Sequence, residues 1–423
     1  MGRPREGVVK QPRTTVGILV GGGPAPGINS VIGAATIRSL LAGCEVFGFL
    51  DGFEWLMQGN TSRVRPLSIE DVSRLHFRGG SLLGTSRANP TKKPEHLDKV
   101  VSTLTGLGVT RLITIGGDDT AFSALKVEEK AAGRLQVVHV PKTIDNDLDL
   151  PYSIPTFGFQ TARHIGVGIV KNLMVDAQTT SRWYFVVTMG RKAGHLALGI
   201  GKAAGATLTL IPEEFRQRPV QLARLVDTLA TAMIKRASEG RLDGVAILAE
   251  GLVEVLDPQG LGGLDHVERD QHGHIRLSEV DIGEVLKREV AKVLAGFNLK
   301  TTIVSKNIGY ELRCADPIPF DMEYTRDLGY CAAQYLLDGG TAAMVSIQQG
   351  RFTPIPFKEM LDPSTGRAKV RMVDVESESY QIARRYMIRL SQDDLADGET
   401  MTRCASVVGV SAEVFRTRFN SVI

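Results

Sequence analysis

The chain has 423 residues, 43% hydrophobic and 23% charged, with four cysteines and a formal net charge of +3. That content can bury a large core in roughly two or three domains, and the small charge, with no basic patch interleaved with aromatics, argues against nucleic acid as a partner. Cys44, Cys314, Cys331 and Cys404 are widely spaced, with neither CxxC nor zinc spacing, and MGRPREGVVKQPRTT lacks an apolar signal core; a reduced, cytoplasmic protein with no export signal and no membrane span is expected.

Strand-like and helix-like segments alternate almost throughout, the pattern of an α/β fold with parallel sheets carrying helices on both faces. The strand candidates, in order, are VGILV (16–20), RLITI (111–115), LQVVHV (135–140), WYFVVT (183–188), ATLTLI (206–211), GVAILA (244–249), TTIVS (301–305) and AAMVSI (342–347). Helical spacing is clearest in PVQLARLVDTLATAMIKRASEG, where Leu222, Leu225, Leu229 and Met233 form a core stripe and Gly240 a stop. The polar stretch 257–274 reads as irregular. In ESESYQIARRYMIRL (376–390), Ile382, Tyr386 and Leu390 recur at helical spacing and predict a C-terminal helix packed on the body.

Several strand candidates end in turns that carry chemistry. GGGPAPGIN (21–29) follows a strand and opens a helix-like segment, placing backbone N–H groups where they can cradle an anion. It lacks the GK[ST] of a P-loop, and Pro26 stands where the last glycine of a dinucleotide fingerprint would fall; alone, it reads first as a tight turn. FRGGSLLGTSR (77–87) brings Arg87 after another glycine turn, a residue that alone would be a solvated charge. RLITI runs into GGDDT (116–120), and LQVVHV into PKTIDNDLDL (141–150), three carboxylates and a cation in one short loop. Together these read as a phosphoryl-transfer site: one acid to hold Mg²⁺, another to take a hydroxyl proton, and Lys142 to meet phosphate charge. Asp118 also reads as a helix N-cap, and both roles are compatible. MGRKAGH (189–195) ends WYFVVT at the carboxyl edge of a sheet, the ligand edge of α/β folds. His195 reads as a capping or core histidine before a ligand contact.

GGDDT, PKTIDND, MGRKAGH and GYELRCADP (309–317), occurring in that order, resemble the phosphofructokinase family and most of all its pyrophosphate-dependent branch, over about residues 16 to 347. The resemblance implies two doubly wound, Rossmann-like lobes with an active-site cleft between them: residues 13–157 with a return at about 312–350, residues 158–311, and a C-terminal helical extension over 351–423. It implies Mg²⁺ on Asp118, donor contacts from Gly22, Gly23 and Arg87, Asp145 as the base for the sugar 1-hydroxyl, Thr143 as a donor to phosphoryl oxygens and Asp147 as a partner beside the base. Asn146 reads as a loop-structuring residue. On the sugar side it implies Met189, the Gly190 backbone, Arg191 bridging donor and acceptor oxygens, and Glu250 on sugar hydroxyls. For the 6-phosphate it implies Arg313 with Tyr310, and Arg182 reaching a neighbouring subunit's site in a homodimer or homotetramer. Tyr310 departs from the family's usual histidine, and Lys306 is the nearest stand-in for a second cross-subunit arginine.

Donor choice turns on Asp119 and Lys142, positions where ATP-using members carry glycine. Two unit charges about 4 Å apart at an effective dielectric of about 20 repel by about 4 kcal/mol, about three decades of affinity before counter-ion relief. A carboxylate at Asp119 would oppose a nucleotide's α-phosphate, whereas pyrophosphate ends before that point and Lys142 neutralises it. The expected activity is reversible transfer from pyrophosphate to fructose 6-phosphate, in glycolysis. ATP as donor, or sedoheptulose 7-phosphate as acceptor, stays open; a non-catalytic regulatory subunit is opposed by the retention of Asp118, Asp145, Arg191 and Arg313.

Overall fold

Strands covered on both faces have no solvent side to alternate with, so they appear as uninterrupted apolar runs. The computed structural model describes residues 14–151, 154–261, 280–362 and 369–422. Among these the strands are β1 Thr15–Val20, β2 Glu45–Phe49, β3 Val64–Pro66, β4 Val109–Gly116, β5 Gln136–Thr143, β6 Phe157–Gly158, β7 Arg182–Thr188, β8 Leu208–Leu210, β9 Gly244–Ala249, β10 Thr302–Ile308, β11 Ala343–Met344, β12 Ile347–Gln348, β13 Arg351–Phe352 and β14 Ile355–Pro356. Every residue of β1 and β9 is buried. The chain divides into two compact units and changes unit after Ile144, Asp147, Thr161, Leu312 and Val370.

The first unit's sheet runs β14–β11–β5–β4–β1–β2–β3, with β6 beside β5. β1 pairs in parallel with β2 on one side and β4 on the other. Strand order therefore reverses at β1, and such a reversal opens a crevice at the carboxyl ends of the strands, where ligands of open α/β sheets bind. Leu19, Phe49, Leu104, Leu112 and Val137 belong to the core of this unit.

The second unit has four parallel strands in the order β10–β7–β9–β8, so the reversal falls at β7. Its core joins Trp183, Leu229, Met233 and Leu248 to Leu390, Met401, Cys404, Phe415 and Phe419. Residues 371–423 are thus grouped with the second unit, and 351–370 with the first.

Within the helix Leu222–Ser238, Leu225, Leu229 and Met233 are buried and Gly240 follows the end at φ 77°. The expected helix over 376–390 is shorter and turned differently. It spans Glu378–Tyr386 and buries Tyr380 and Ala383, leaving Ile382 and Tyr386 42% and 83% exposed. Met387 is extended, so Leu390 reaches the core from beyond the helix rather than along its face. AAMVSI also splits: β11 ends at Met344, because Ser346 turns to bond Thr353 through both its hydroxyl and its carbonyl. Of the stretch 257–274, Pro258–Leu261 forms one helical turn and the rest lies outside the described residues. Among the described residues no helix is long and apolar enough to cross a membrane, and all four cysteines are free thiols.

Candidate active site

In the first unit, β1 runs directly into Gly21–Gly23 at the sheet's carboxyl edge. The Gly21 N–H donates to Ile115 O at 2.8 Å and the Gly22 N–H to Ser86 O at 2.8 Å, while Thr85 Oγ1 donates to Gly22 O at 2.6 Å. The loop is thereby held between β4 and the segment leading to Arg87, whose side chain is exposed. Gly22 has φ 82°, a conformation that favours glycine, and a Cβ added there would stand 3.4 Å from Lys142 Nζ. A Cβ on Gly23 would meet the Arg313 guanidinium carbon at 3.3 Å. Lys142 is 4% exposed and its ammonium donates to Gly23 O. One glycine loop thus has two cations against it, an arrangement suited to an anion.

β4 ends beside this loop in Gly116–Gly117, and Gly117, not Asp118, caps the helix Asp118–Ala131. Asp118 and Asp119 open its first turn, half-buried and exposed respectively. The Thr120 side chain fills the space at both Gly21 and Gly116, where a Cβ would come within 2.5 and 2.3 Å of it. Below the turn, His139 is fully buried: Nε2 lies 3.0 Å from Gly116 O and Nδ1 2.8 Å from Thr114 Oγ1. The carbonyl can only accept, so Nε2 carries the proton and Nδ1 accepts from the threonine. Burial depresses this imidazole to about 3, keeping it neutral. Thr143 closes β5, its carbonyl accepting from Thr156 Oγ1 at 2.7 Å.

Asp145–Asp147 is grouped with the second unit. Asn146 at its centre has φ 57°, and Arg371 holds it. Arg371 Nε and Nη2 each donate to Asn146 O at 3.1 Å, Nη2 also donates to Asn146 Oδ1, and the Arg371 N–H donates to Asp147 O at 2.7 Å. The left-handed turn that sets Asp145 and Asp147 on either side of Asn146 is therefore clamped by one arginine, as expected of a loop-structuring asparagine. His195 Nε2 lies 3.1 Å from Arg371 O, and burial followed by the Arg371 charge depresses this imidazole to about 4.

At the carboxyl edge of the second unit's sheet, Thr188 is level with Ala249 and Ile308, so Met189, Glu250 and Gly309 emerge side by side. Met189, Glu250 and Tyr310 line a cavity of about 280 Å³ with Thr188, Asp281 and Asn307. Gly190 has φ 143°, and its N–H donates to Glu250 Oε2 at 3.3 Å. A Cβ on Gly309 would come 2.4 Å from Met189 Cγ, and one on Gly251 3.0 Å from Arg191 O. Gly194 donates to the half-buried Glu213 at 2.8 Å. Arg191 is exposed.

The remaining residues lie elsewhere. Arg313 stands against Gly23 within the first unit. Lys306 is in mid-strand on β10, level with Val186. Arg182 begins β7 at the opposite, amino edge from Met189, about 23 Å away at about 3.3 Å per residue. Its Nε lies 3.9 Å from Asp176, whose carboxylate also accepts from Tyr184 OH at 2.5 Å. Among the described residues no group of three His, Cys, Asp or Glu side chains gathers to hold a metal. A Mg²⁺ on Asp118 would therefore take most of its ligands from water and phosphate, which suits this ion. Arg371 and His139 escape sequence reasoning: the partners of the first are 225 residues away in the chain, and the second sits in an ordinary strand pattern.

Residues 15–336 match the phosphofructokinase family model. Over 409 residues the chain is 54% identical to the pyrophosphate–fructose 6-phosphate 1-phosphotransferase of Thermotoga maritima, spanning 96% of this chain and 97% of that one. It is 49% identical over 418 residues to the Naegleria fowleri protein of the same name, spanning 97% and 96%. The fold is similar to the pyrophosphate-dependent phosphofructokinase structure from Nitrosospira multiformis, with a TM-score of 0.68 at 15% identity, over 95% of this chain and 93% of that one.

Proposed function

Because the chain belongs to the phosphofructokinase family, we propose that it transfers a phosphoryl group reversibly between pyrophosphate and the 1-hydroxyl of fructose 6-phosphate, giving fructose 1,6-bisphosphate and phosphate. Gly22, with no side chain, lets the donor approach the loop, Gly23 offers it a backbone N–H, and Arg87 and Lys142 neutralise it. Asp118 would hold Mg²⁺, which when bound shields the charge of the phosphoryl group. Asp145 takes the proton of the 1-hydroxyl as the new P–O bond forms, with Asp147 beside it and Thr143 donating to phosphoryl oxygens. Arg191 stabilises charge developing between donor and acceptor oxygens. Met189 packs on the sugar, Gly190 approaches it through its backbone, and Glu250 accepts from its hydroxyls.

Arg313, Tyr310 and Lys306 serve the 6-phosphate side. Arg182, at the far end of β7 from the cavity, serves a neighbouring subunit in a cytoplasmic homodimer or homotetramer. Mixing an Asp145→Ala chain with an Arg182→Ala chain should then restore activity that neither has alone, and a protein active as a monomer would end that assignment.

The observation that carries the donor assignment is Lys142, buried with its ammonium on Gly23 O, while Asp119 opens the helix that begins where a Cβ on Gly117 would stand 3.5 Å from Lys142 O. We infer that Lys142 and Asp119 take up the space and charge that a nucleotide's inner phosphate and ribose need. Parallel assays with pyrophosphate and ATP test it. The wild type should use pyrophosphate, Asp119→Gly should admit ATP, Lys142→Gly should weaken pyrophosphate, and the double variant should shift the kcat/KM ratio toward ATP beyond either alone. A wild type that prefers ATP, or a double variant whose ratio does not move, would sink the assignment.

A further inference from the structure

The second unit carries another concavity, unrelated to the residues above, of about 380 Å³ and lined by Glu214, Arg216, Arg224, Tyr380, Arg384 and Arg389 among others. Two of its arginines are matched. Arg389 Nη1 and Nη2 donate to the Glu214 carboxylate at 2.5 and 3.0 Å, and Arg216 pairs with Glu376. The other two are not. Arg224 meets the ring of Phe215, 5.7 Å from guanidinium carbon to centroid, and the Arg384 side chain forms no ion pair or hydrogen bond among the described residues, being attracted from a distance by the Glu214 carboxylate that Arg389 already holds.

Arg389 is 6% exposed, yet its Nε has no hydrogen-bond partner among the described residues. Burial, then the neighbouring Arg389 charge, pulls the Arg384 guanidinium down to about 10. Four guanidinium groups against two carboxylates, Glu214 and Glu376, around one concavity carry a repulsion and a desolvation cost that a bound anion relieves.

We propose that this cavity binds the phosphoryl group of a small molecule, with Arg224 and Arg384 as its principal ligands. A phosphoryl dianion, carrying a charge of about −1.5 to −2 near neutral pH, matches the two unmatched arginines, and the planar guanidinium fork matches its oxygens. The volume exceeds that of a single phosphoryl group, so the ligand has an organic remainder or further phosphoryl groups. Tyr380, Arg384 and Arg389 lie beyond residues 15–336, the part that matches the family model. The wall is also joined to the MGRKAGH turn: Glu214 and Glu213 share the short helix Pro212–Glu214, and Glu213 accepts from Gly194.

Titration calorimetry of the full chain with inorganic phosphate tests the proposal in wild type, Arg384→Gln, Arg224→Gln and the double variant, with melting curves to confirm folding. The double variant should lose one phosphate per chain, or weaken it by roughly tenfold or more, while kcat in phosphate-free buffer holds. Arg384→Lys should keep part of the binding. Should a variant fail to fold, hydrogen exchange of the wild type decides: phosphate should protect the amides of 378–390. A folded double variant that titrates like wild type, or a wild type in which phosphate leaves those amides unprotected, would overturn the proposal.

Discussion

At the carboxyl edge of the first unit's sheet, β1 and β4 end in glycines, and the charges closest to the loop are Lys142 and Arg313. At the same edge of the second unit's sheet, β7, β9 and β10 end in Met189, Glu250 and Gly309, which with Tyr310 open onto a cavity. Both sheets reverse strand order beside these turns, so topology offers each a crevice. What differs is the finish. A glycine loop with cations against it suits phosphate, whereas a cavity of apolar side chains with carboxylates and an amide suits a sugar. On the proposed function, turn chemistry rather than sheet topology divides the two ligands.

The largest test falls on Asp145, the first residue of the short segment that the chain lends from one unit to the other. Asp145→Ala should lower kcat by about a hundredfold or more with little change in either KM, as expected of a group acting in the transition state. A variant that keeps half of its kcat would remove Asp145 from the chemistry.

Arg87 and Glu250 sharpen the contrast directly. Arg87→Ala should raise KM for pyrophosphate, and Glu250→Ala KM for fructose 6-phosphate, each by roughly tenfold for a lost charge-assisted contact. If both substitutions move the same substrate, the division of ligands between the two edges is wrong.

A smaller effect is expected at Arg371, which touches the loop backbone and not the ligands. Arg371→Ala should lower kcat severalfold and leave KM values nearly unchanged, and Arg371→Lys should rescue it only in part, since an ammonium cannot fork onto Asn146 O and Oδ1 together. An unchanged kcat would mean the loop holds its own shape.

The smallest concerns stability. His139 and His195 have folded values of about 3 and about 4, below the usual value of 6.5. Below that usual value the unfolded chain binds protons that the folded chain refuses, so stability should fall as pH drops from 6.5 toward 4. Each histidine should contribute a slope of up to about 1.4 kcal/mol per pH unit. His139→Gln should flatten the acid limb of a melting-temperature profile, and an unchanged limb would count against it.

Much of this was legible before folding. GVAILA is β9 residue for residue, and the turns after β1, β4, β5 and β7 fall where apolar runs meet glycine or charge. Buried parallel strands announce themselves in that way. β2 does not, because its Gly48 breaks the run; a Cβ there would come 2.4 Å from Leu83, a contact no local pattern reveals. Arg371 was invisible for the same reason, being one arginine in KVRMVDV until tertiary structure brings Asn146 to it. The C-terminal helix was misread because Ile382 and Tyr386 keep a helical period that faces outward, while Tyr380 and Ala383 pack inward.

The C-terminal contribution to the second core bears on where this gene can be cut. The family match stops at residue 336, yet Met401, Cys404, Phe415 and Phe419 are buried beside Trp183 and Leu229. A clone trimmed to the matched module would lose one wall of that core, and aggregation of the fragment is the expected result. For grafting, fusion or expression, the smallest portable piece runs at least through Phe419.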